Sequence, residues 1–316
     1  MTKPTALTTL VHVEGSSWSP SPLAIEWNSS HVMCPASSAA QPSAVSVAPL
    51  RSDGRIDLAA LEESLADGGG PALLALQGAN NETGVVQPVA EAAALVHARG
   101  GLVVCDAVQL AGRTPLDAQS LGADFLILSA HKFGGPKGVG ALIAAREGLS
   151  AGLPLLRGGG QERGARAGTE NVAGIAGFGA AAKAVRRDVA AEAARLSALR
   201  DRLEAAILEA APEAVIFGAG ALRLANTTAF AVPGIAAATM LMRLDLAGVA
   251  ASSGSACSSG KVTRSHVLAA MGVAPEIAAG AIRLSLGWAS SEADVERFGE
   301  AFASTVTALR ARRGAA

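Results

Sequence analysis

The chain has 316 residues, half of them apolar and only 3% aromatic, with 27 acidic against 26 basic side chains and a formal charge of -1. This balance, with no basic block, excludes nucleic acid as a main partner, and the lack of an apolar run of ~18 residues excludes a membrane-spanning helix. Three widely spaced cysteines (Cys34, Cys105 and Cys257) form neither a disulfide framework nor a zinc pattern, and the N-terminus lacks the apolar core of a secretory signal, so a reduced, cytoplasmic protein is expected.

Residues 1–43 carry Ser and Pro clusters without a sustained hydrophobic period and read as irregular. A short strand is expected over 44–50. Asp57 is placed to cap a helix over 58–66, which Gly68, Gly69 and Gly70 end. A strand over 71–76 runs into the polar turn Gln77-Gly78-Ala79-Asn80-Asn81-Glu82-Thr83-Gly84. Pro88 suits the first turn of a helix that Gly100 stops. Apolar, β-branched runs at 102–105 and 125–128 read as buried parallel strands, and a third strand follows at 141–145. Strands alternating with helices predict a parallel sheet with right-handed crossovers.

A helical pattern covers 172–211, with a break expected at Arg186-Arg187-Asp188. Its second part, with acid–base pairs four residues apart, reads as a long amphipathic helix leading into a smaller domain. Strands are expected at 226–232, 249–252 and 282–287, and helices at 236–246, 265–271 and 292–310. The expected fold is α/β: a mostly parallel sheet with helices on both faces, in a cofactor-binding domain over 44–187, and a smaller α+β domain over 188–316.

The candidate chemistry gathers at strand ends. Asp106 and Gln109 follow one central strand; Ser129, His131 and Lys132 follow the next, with a Gly/Pro-rich loop behind them. Ligands of open α/β sheets sit beyond the carboxyl ends of the strands. An acid and a lysine there suit pyridoxal phosphate, which needs a lysine for its aldehyde and an acid to keep its pyridine nitrogen protonated. Taken singly, Asp106 also reads as a helix cap and Lys132 as a surface residue. Further on, a glycine- and arginine-rich stretch ends at Thr169, a candidate helix cap or phosphate contact. Cys257 lies among small residues in Ser253-Gly254-Ser255-Ala256-Cys257, a setting for an accessible thiol. Arg283 lies in an alternating, half-buried strand and, taken singly, also reads as a solvated strand residue.

These motifs together resemble the cysteine desulfurases of the class V aminotransferase-like, pyridoxal-phosphate enzymes. Ser129-Ala130-His131-Lys132-Phe133 with its glycine loop is similar to their cofactor-lysine motif, and Asp106-Ala107-Val108-Gln109 to their pyridine-nitrogen and ring-hydroxyl contacts. The stretch ending in Gly168-Thr169 is similar to a loop whose Thr reaches the cofactor phosphate of the other subunit, and Ser253-Gly254-Ser255-Ala256-Cys257 to the loop of their nucleophile. The resemblance therefore implies a homodimer with composite sites. It implies that Lys132 and Cys257 are catalytic and that Asn81, Asp106, Gln109, Ser129, His131, Lys132 and Thr169 hold the cofactor. It implies that Arg283 and Asn81 hold the carboxylate of L-cysteine, with sulfur passing through a Cys257 persulfide to an acceptor such as an iron–sulfur scaffold protein. No metal is implied.

The resemblance spans residues 44 to 312; the phosphate-binding T-S-G-A-T-E loop and the E-H pair that precede it in the family have no counterpart here. A truncated or frame-shifted member is therefore expected. Two other readings stay open: another class V enzyme such as a selenocysteine lyase, and a degenerate paralogue serving as a dimer partner or sulfur-relay scaffold.

Overall fold

A computed structural model describes residues 9–12, 26–28, 31–33, 45–68, 70–145, 149, 156–253 and 265–314. The first strands are short: β1 (Thr9–His12), β2 (Glu26–Asn28), β3 (His31–Met33) and β4 (Val45–Val47). Three of these lie in the stretch expected to be irregular. β1 inserts antiparallel between β4 and a later strand, pairing Thr9 with both Val47 and Ala75, and β2 and β3 form a separate hairpin. Such pairing comes from partners distant in sequence and leaves no local period to read.

From α1 (Leu58–Asp67) onward, expectation and structure run close together. The Asp57 carboxylate accepts from the N–H groups of Ala59 and Ala60, so it caps α1. β5 (Ala72–Gln77), α2 (Val89–His97) and β6 (Leu102–Asp106) follow, with Pro88 at the cap of α2 rather than in its first turn. A short α3 (Ala118–Leu121), capped by Asp117, leads to β7 (Phe125–Ser129), a 3-10 turn over Ala130–Phe133, and β8 (Gly140–Ala144).

The strand order of the larger sheet is β4-β1-β5-β6-β7-β8. Its centre, β5-β6-β7, is parallel, as the apolar runs predicted. β8 runs antiparallel to β7, contrary to the parallel expectation, because the connection after the 3-10 turn is a short return with no crossover helix. One face of the central strands packs Leu74, Leu76, Val103, Cys105 and Leu126 against Leu61 and Leu65 of α1 and Val89, Ala92 and Val96 of α2.

A 3-10 turn at Gln161–Gly164 precedes α4 (Val172–Ala210). α4 is continuous for 39 residues, so the expected break at 186–188 is absent. Arg186, Arg187 and Asp188 are exposed, and a charged turn without Gly or Pro solvates a helix face rather than ending it. The cap of α4 is Asn171, whose Oδ1 accepts from Gly174 N–H, and not Thr169. A capping side chain must directly precede the first helical residue, and α4 starts three residues beyond Thr169.

β9 (Val215–Ile216), β10 (Thr227–Ala231), α5 (Ala237–Leu246), β11 (Ser252–Ser253), α6 (His266–Ala270), α7 (Pro275–Ala278), β12 (Ile282–Ser285) and α8 (Glu292–Gly314) complete the described chain. The second sheet is antiparallel, in the order β11-β12-β10-β9. Leu196, Leu199, Leu203 and Ile207 form one stripe of α4 and pack with Phe230, Leu284, Phe298 and Phe302. The Phe302 ring meets Phe230 edge-on at 5.5 Å and stacks on Phe298 at 5.4 Å. Burying each such side chain contributes about 1.5–3 kcal/mol, and the result is a second core that holds β12 rigid.

Candidate functional site

The parallel register sets Gln77 of β5 beside Asp106 of β6, and Asp106 beside Ile127 of β7. All three strands therefore end at one edge, and the polar residues that follow are delivered to one place. Asp106 Oδ1 accepts from Val108 N–H at 2.9 Å, which turns the chain away from the strand. Burial pushes the Asp106 carboxyl up; the Val108 N–H and the positive charge of Lys132 oppose that shift. A further cation at this carboxylate, such as a protonated ring nitrogen, would favour its ionised form in the same way.

Lys132 sits in the 3-10 turn that β7 runs into. Ala130 is fully buried at its start, and Gly134, at φ +89°, ends it. A Cβ at Gly135 would lie 2.9 Å from the Ala130 Cβ, so only glycine lets the chain fold back this closely. Within the turn, the Ser129 hydroxyl and His131 Nδ1 are 2.9 Å apart. Arg113 spans the two strand ends: Nη1 donates to the Gln109 carbonyl at 3.1 Å and Nη2 to the Lys132 carbonyl at 3.2 Å. Burial lowers the pKa of this guanidinium. A cavity of about 370 Å³ borders Lys132, lined also by Arg113, Phe133, Asn226, Leu286 and Trp288.

The polar turn after β5 leaves the sheet at the same edge, since Gln77 pairs with Asp106. Gly78 admits no side chain, since a Cβ there would lie 2.3 Å from Leu110 Cδ1, and its N–H donates to the Asp106 carbonyl. Asn80 Oδ1 accepts from the N–H groups of Glu82 and Thr83, which curls the turn. Arg283 of β12 reaches this turn from the second sheet, its Nη1 donating to the Asn81 carbonyl at 2.9 Å. Arg283 Nε is buried and has no hydrogen-bond partner among the described residues. Such an orphaned donor on a guanidinium fits an anionic ligand group. Glu82 is buried in the same turn and accepts from the Ser265 hydroxyl at 2.5 Å. Burial pushes the Glu82 carboxyl up to about 7, against the Ser265 hydrogen bond and the Arg283 charge.

The structure thus brings Asp106, Gln109, Ser129, His131 and Lys132 to adjacent strand ends, and joins Asn81 to Arg283. Thr169 is exposed on the stretch before α4 and takes no part in its cap. Cys257 lies outside the described residues. Cys105, by contrast, is buried under α2, and burial raises its thiol to about 12, so it is no thiolate nucleophile. Arg113 and Glu82 escaped the sequence reading. The signal for Glu82 was a carboxylate in the turn between an apolar strand and a helix; for Arg113 it was a lone Arg behind Gly112, which nothing local distinguishes from a surface residue.

Lysine, acid and guanidinium on this frame are the donor set that pyridoxal phosphate and an amino-acid carboxylate require. The family description that matches residues 23–298 is aminotransferase class-V. The chain belongs to that family, among its cysteine desulfurases. A cysteine desulfurase of Sinorhizobium fredii is 41% identical over 268 residues, covering 84% of this chain and 67% of the relative. One of Gluconacetobacter diazotrophicus is 44% identical over 257 residues, covering 81% and 63%. The solved structure of a NifS-like protein from Rickettsia africae superposes with a TM-score of 0.75 at 36% identity, over 83% of this chain and 69% of that one. The class-V chain described here spans about two thirds of the length of the curated relatives it matches.

Proposed function

We propose that the chain acts as a pyridoxal-phosphate-dependent cysteine desulfurase, converting L-cysteine and the Cys257 thiol to L-alanine and a Cys257 persulfide. The observation that carries this reading is the pair of opposite charges, Asp106 and Lys132, at the ends of adjacent parallel strands. Pyridoxal phosphate, when bound, supplies the electron sink that stabilises negative charge at the substrate Cα. Lys132 would hold the group by its aldehyde and, once free as a neutral amine, would move the substrate Cα proton. Asp106 would keep the proton on the ring nitrogen, Gln109 would meet the ring hydroxyl, and Ser129 and His131 would hold the phosphate. Arg283, its Nη1 fixed on the Asn81 carbonyl, offers Nε to the substrate carboxylate, and Asn81 completes that clamp. The Cys257 thiolate attacks the substrate sulfur as the carbon–sulfur bond breaks, so the sulfur moves to Cys257 and the carbon is protonated.

The finer readings belong to the same proposal. The large cofactor-binding domain is 44–187 and the small one 188–316, with α4 crossing between them: its first half packs on the Lys132 turn, where Phe178 meets Phe133 at 5.5 Å, and its second half on α8. A second copy of the chain receives Thr169 at its phosphate site. The exposure of Val172 and Ile175, just beyond Thr169, supports a protein surface there. The persulfide passes to an acceptor protein such as an iron–sulfur scaffold, in the cytoplasm.

The test is the visible spectrum of the purified protein with pyridoxal phosphate, before and after L-cysteine. The expected result is a Schiff-base band that Lys132→Ala removes, and sulfide release under reductant that Cys257→Ala removes. A folded protein without the band would overturn the proposal.

A further inference from the structure

Glu82 is a buried carboxyl for which the desulfurase reading has no use. From α6 the Ser265 hydroxyl donates to it, and from β12 the Arg283 charge acts on it through space. Its own backbone N–H is fixed on Asn80 Oδ1. The titratable group next to this contact is His266, beside Ser265 on α6. Glu82 therefore shares one small volume with the guanidinium that the turn already grips through the Asn81 carbonyl.

We propose that Glu82 is a positioning residue that couples the seating of a substrate carboxylate on Arg283 to uptake of a proton from solvent. The proposal rests on Arg283 being the carboxylate clamp. Arg283 holds Glu82 towards its ionised form. An anion on the guanidinium cancels that field, so Glu82 binds a proton more tightly. By linkage, protonated Glu82 strengthens the anion's binding by the same factor. Where Glu82 is protonated, the two carboxylates do not face Arg283 as two full negative charges.

The probe is 3-(methylthio)propionate, which carries a carboxylate and a sulfur but neither amine nor free thiol. Its carboxylate stays ionised between pH 6 and 9. Calorimetric titration of the whole protein, loaded with pyridoxal phosphate and without it, in buffers of different ionisation enthalpy counts the protons exchanged on binding. A rise of about one pKa unit at Glu82 gives uptake of about half a proton at its midpoint, and affinity that falls up to about tenfold from pH 6 to pH 9. Glu82→Gln, which keeps the shape and an acceptor for Ser265, abolishes both effects, whereas His266→Gln leaves both. Binding without proton uptake in the parent protein, or uptake that survives in Glu82→Gln and vanishes in His266→Gln, overturns the proposal while leaving the desulfurase reading intact. If the parent does not bind the probe at all, the carboxylate clamp falls, and the proton linkage with it.

Discussion

Removing the Arg113 side chain tests how the lysine turn is held. Its guanidinium donates to the Gln109 carbonyl at 3.1 Å and the Lys132 carbonyl at 3.2 Å, so one side chain ties the residues after β6 to those after β7. Both bonds are long for charge-assisted ones, which puts each near about 1–1.5 kcal/mol. Burial works against the charge and offsets part of this gain. Arg113→Ala should then cost less than the sum of the two bonds, about 1–2 kcal/mol, in urea unfolding. Arg113→Lys, which can reach one carbonyl but not bridge two, should cost about half as much. The turn itself persists in both variants, because Ala130 N–H still donates to the Val139 carbonyl and Gly135 N–H to the Ala130 carbonyl. Pyridoxal phosphate should consequently bind about tenfold more weakly to Arg113→Ala, the equivalent of about 1.4 kcal/mol, rather than not at all. Absorbance titration measures that loss. An Arg113→Ala protein within about 0.5 kcal/mol of its parent, with an unchanged titration curve, would refute the bridging argument.

The second core offers two further tests. Glu204 takes a two-pronged contact from Arg223, at 2.6 and 2.9 Å; burial raises its pKa, but the Arg223 hydrogen bonds and charge outweigh that and leave it below the usual 4.5. A lowered carboxyl stabilises the fold above its unfolded pKa and loses that contribution as pH falls through the folded value. Urea stability should therefore drop as the pH is taken below about 4.5, and Glu204→Gln should be less stable at pH 7 but flatter in the acid window. Phe302, fully buried between Phe230 and Phe298, should cost about 3–5 kcal/mol on replacement by Ala in the same assay.

The central half of the site was legible because its determinants are local. Buried parallel strands are continuous apolar runs, so Asp106 stands out as the first polar residue beyond one such run, and Ser129, His131 and Lys132 as the polar group beyond the next. The Asp57 cap and the α4 stripe at Leu196, Leu199, Leu203 and Ile207 are local in the same sense. What stayed hidden depends on partners far away in the chain. β1 is a strand only because β4 and β5 flank it. β8 lies antiparallel because of how the segment after Gly134 returns, which the apolar pattern of β8 does not record. The continuity of α4 through Arg186, Arg187 and Asp188 was misjudged because a run of charge in a helix interrupts its pattern without interrupting its hydrogen bonds.

The turn from Gln77 to Gly84 makes the same point for function. Its sequence belongs with the larger sheet, and Asn80 curls it with its own side chain. The atoms that hold it in place come largely from the second sheet and its neighbours. Leu224 N–H donates to the Gly84 carbonyl, Arg283 to the Asn81 carbonyl and Ser265 to Glu82. Gly84 itself sits at φ +74°, where an L side chain is strained, and its own Cβ would press on Thr227 Cβ of β10 at 3.1 Å. The lysine and the acid are therefore placed by local strand geometry, but the group that grips the substrate carboxylate is placed by contacts between residues as much as 202 positions apart. Changes that loosen the second core, at Phe302 or along α4, should reach carboxylate binding before they reach the cofactor, because β12 carries Arg283 and carries none of the strand-end residues.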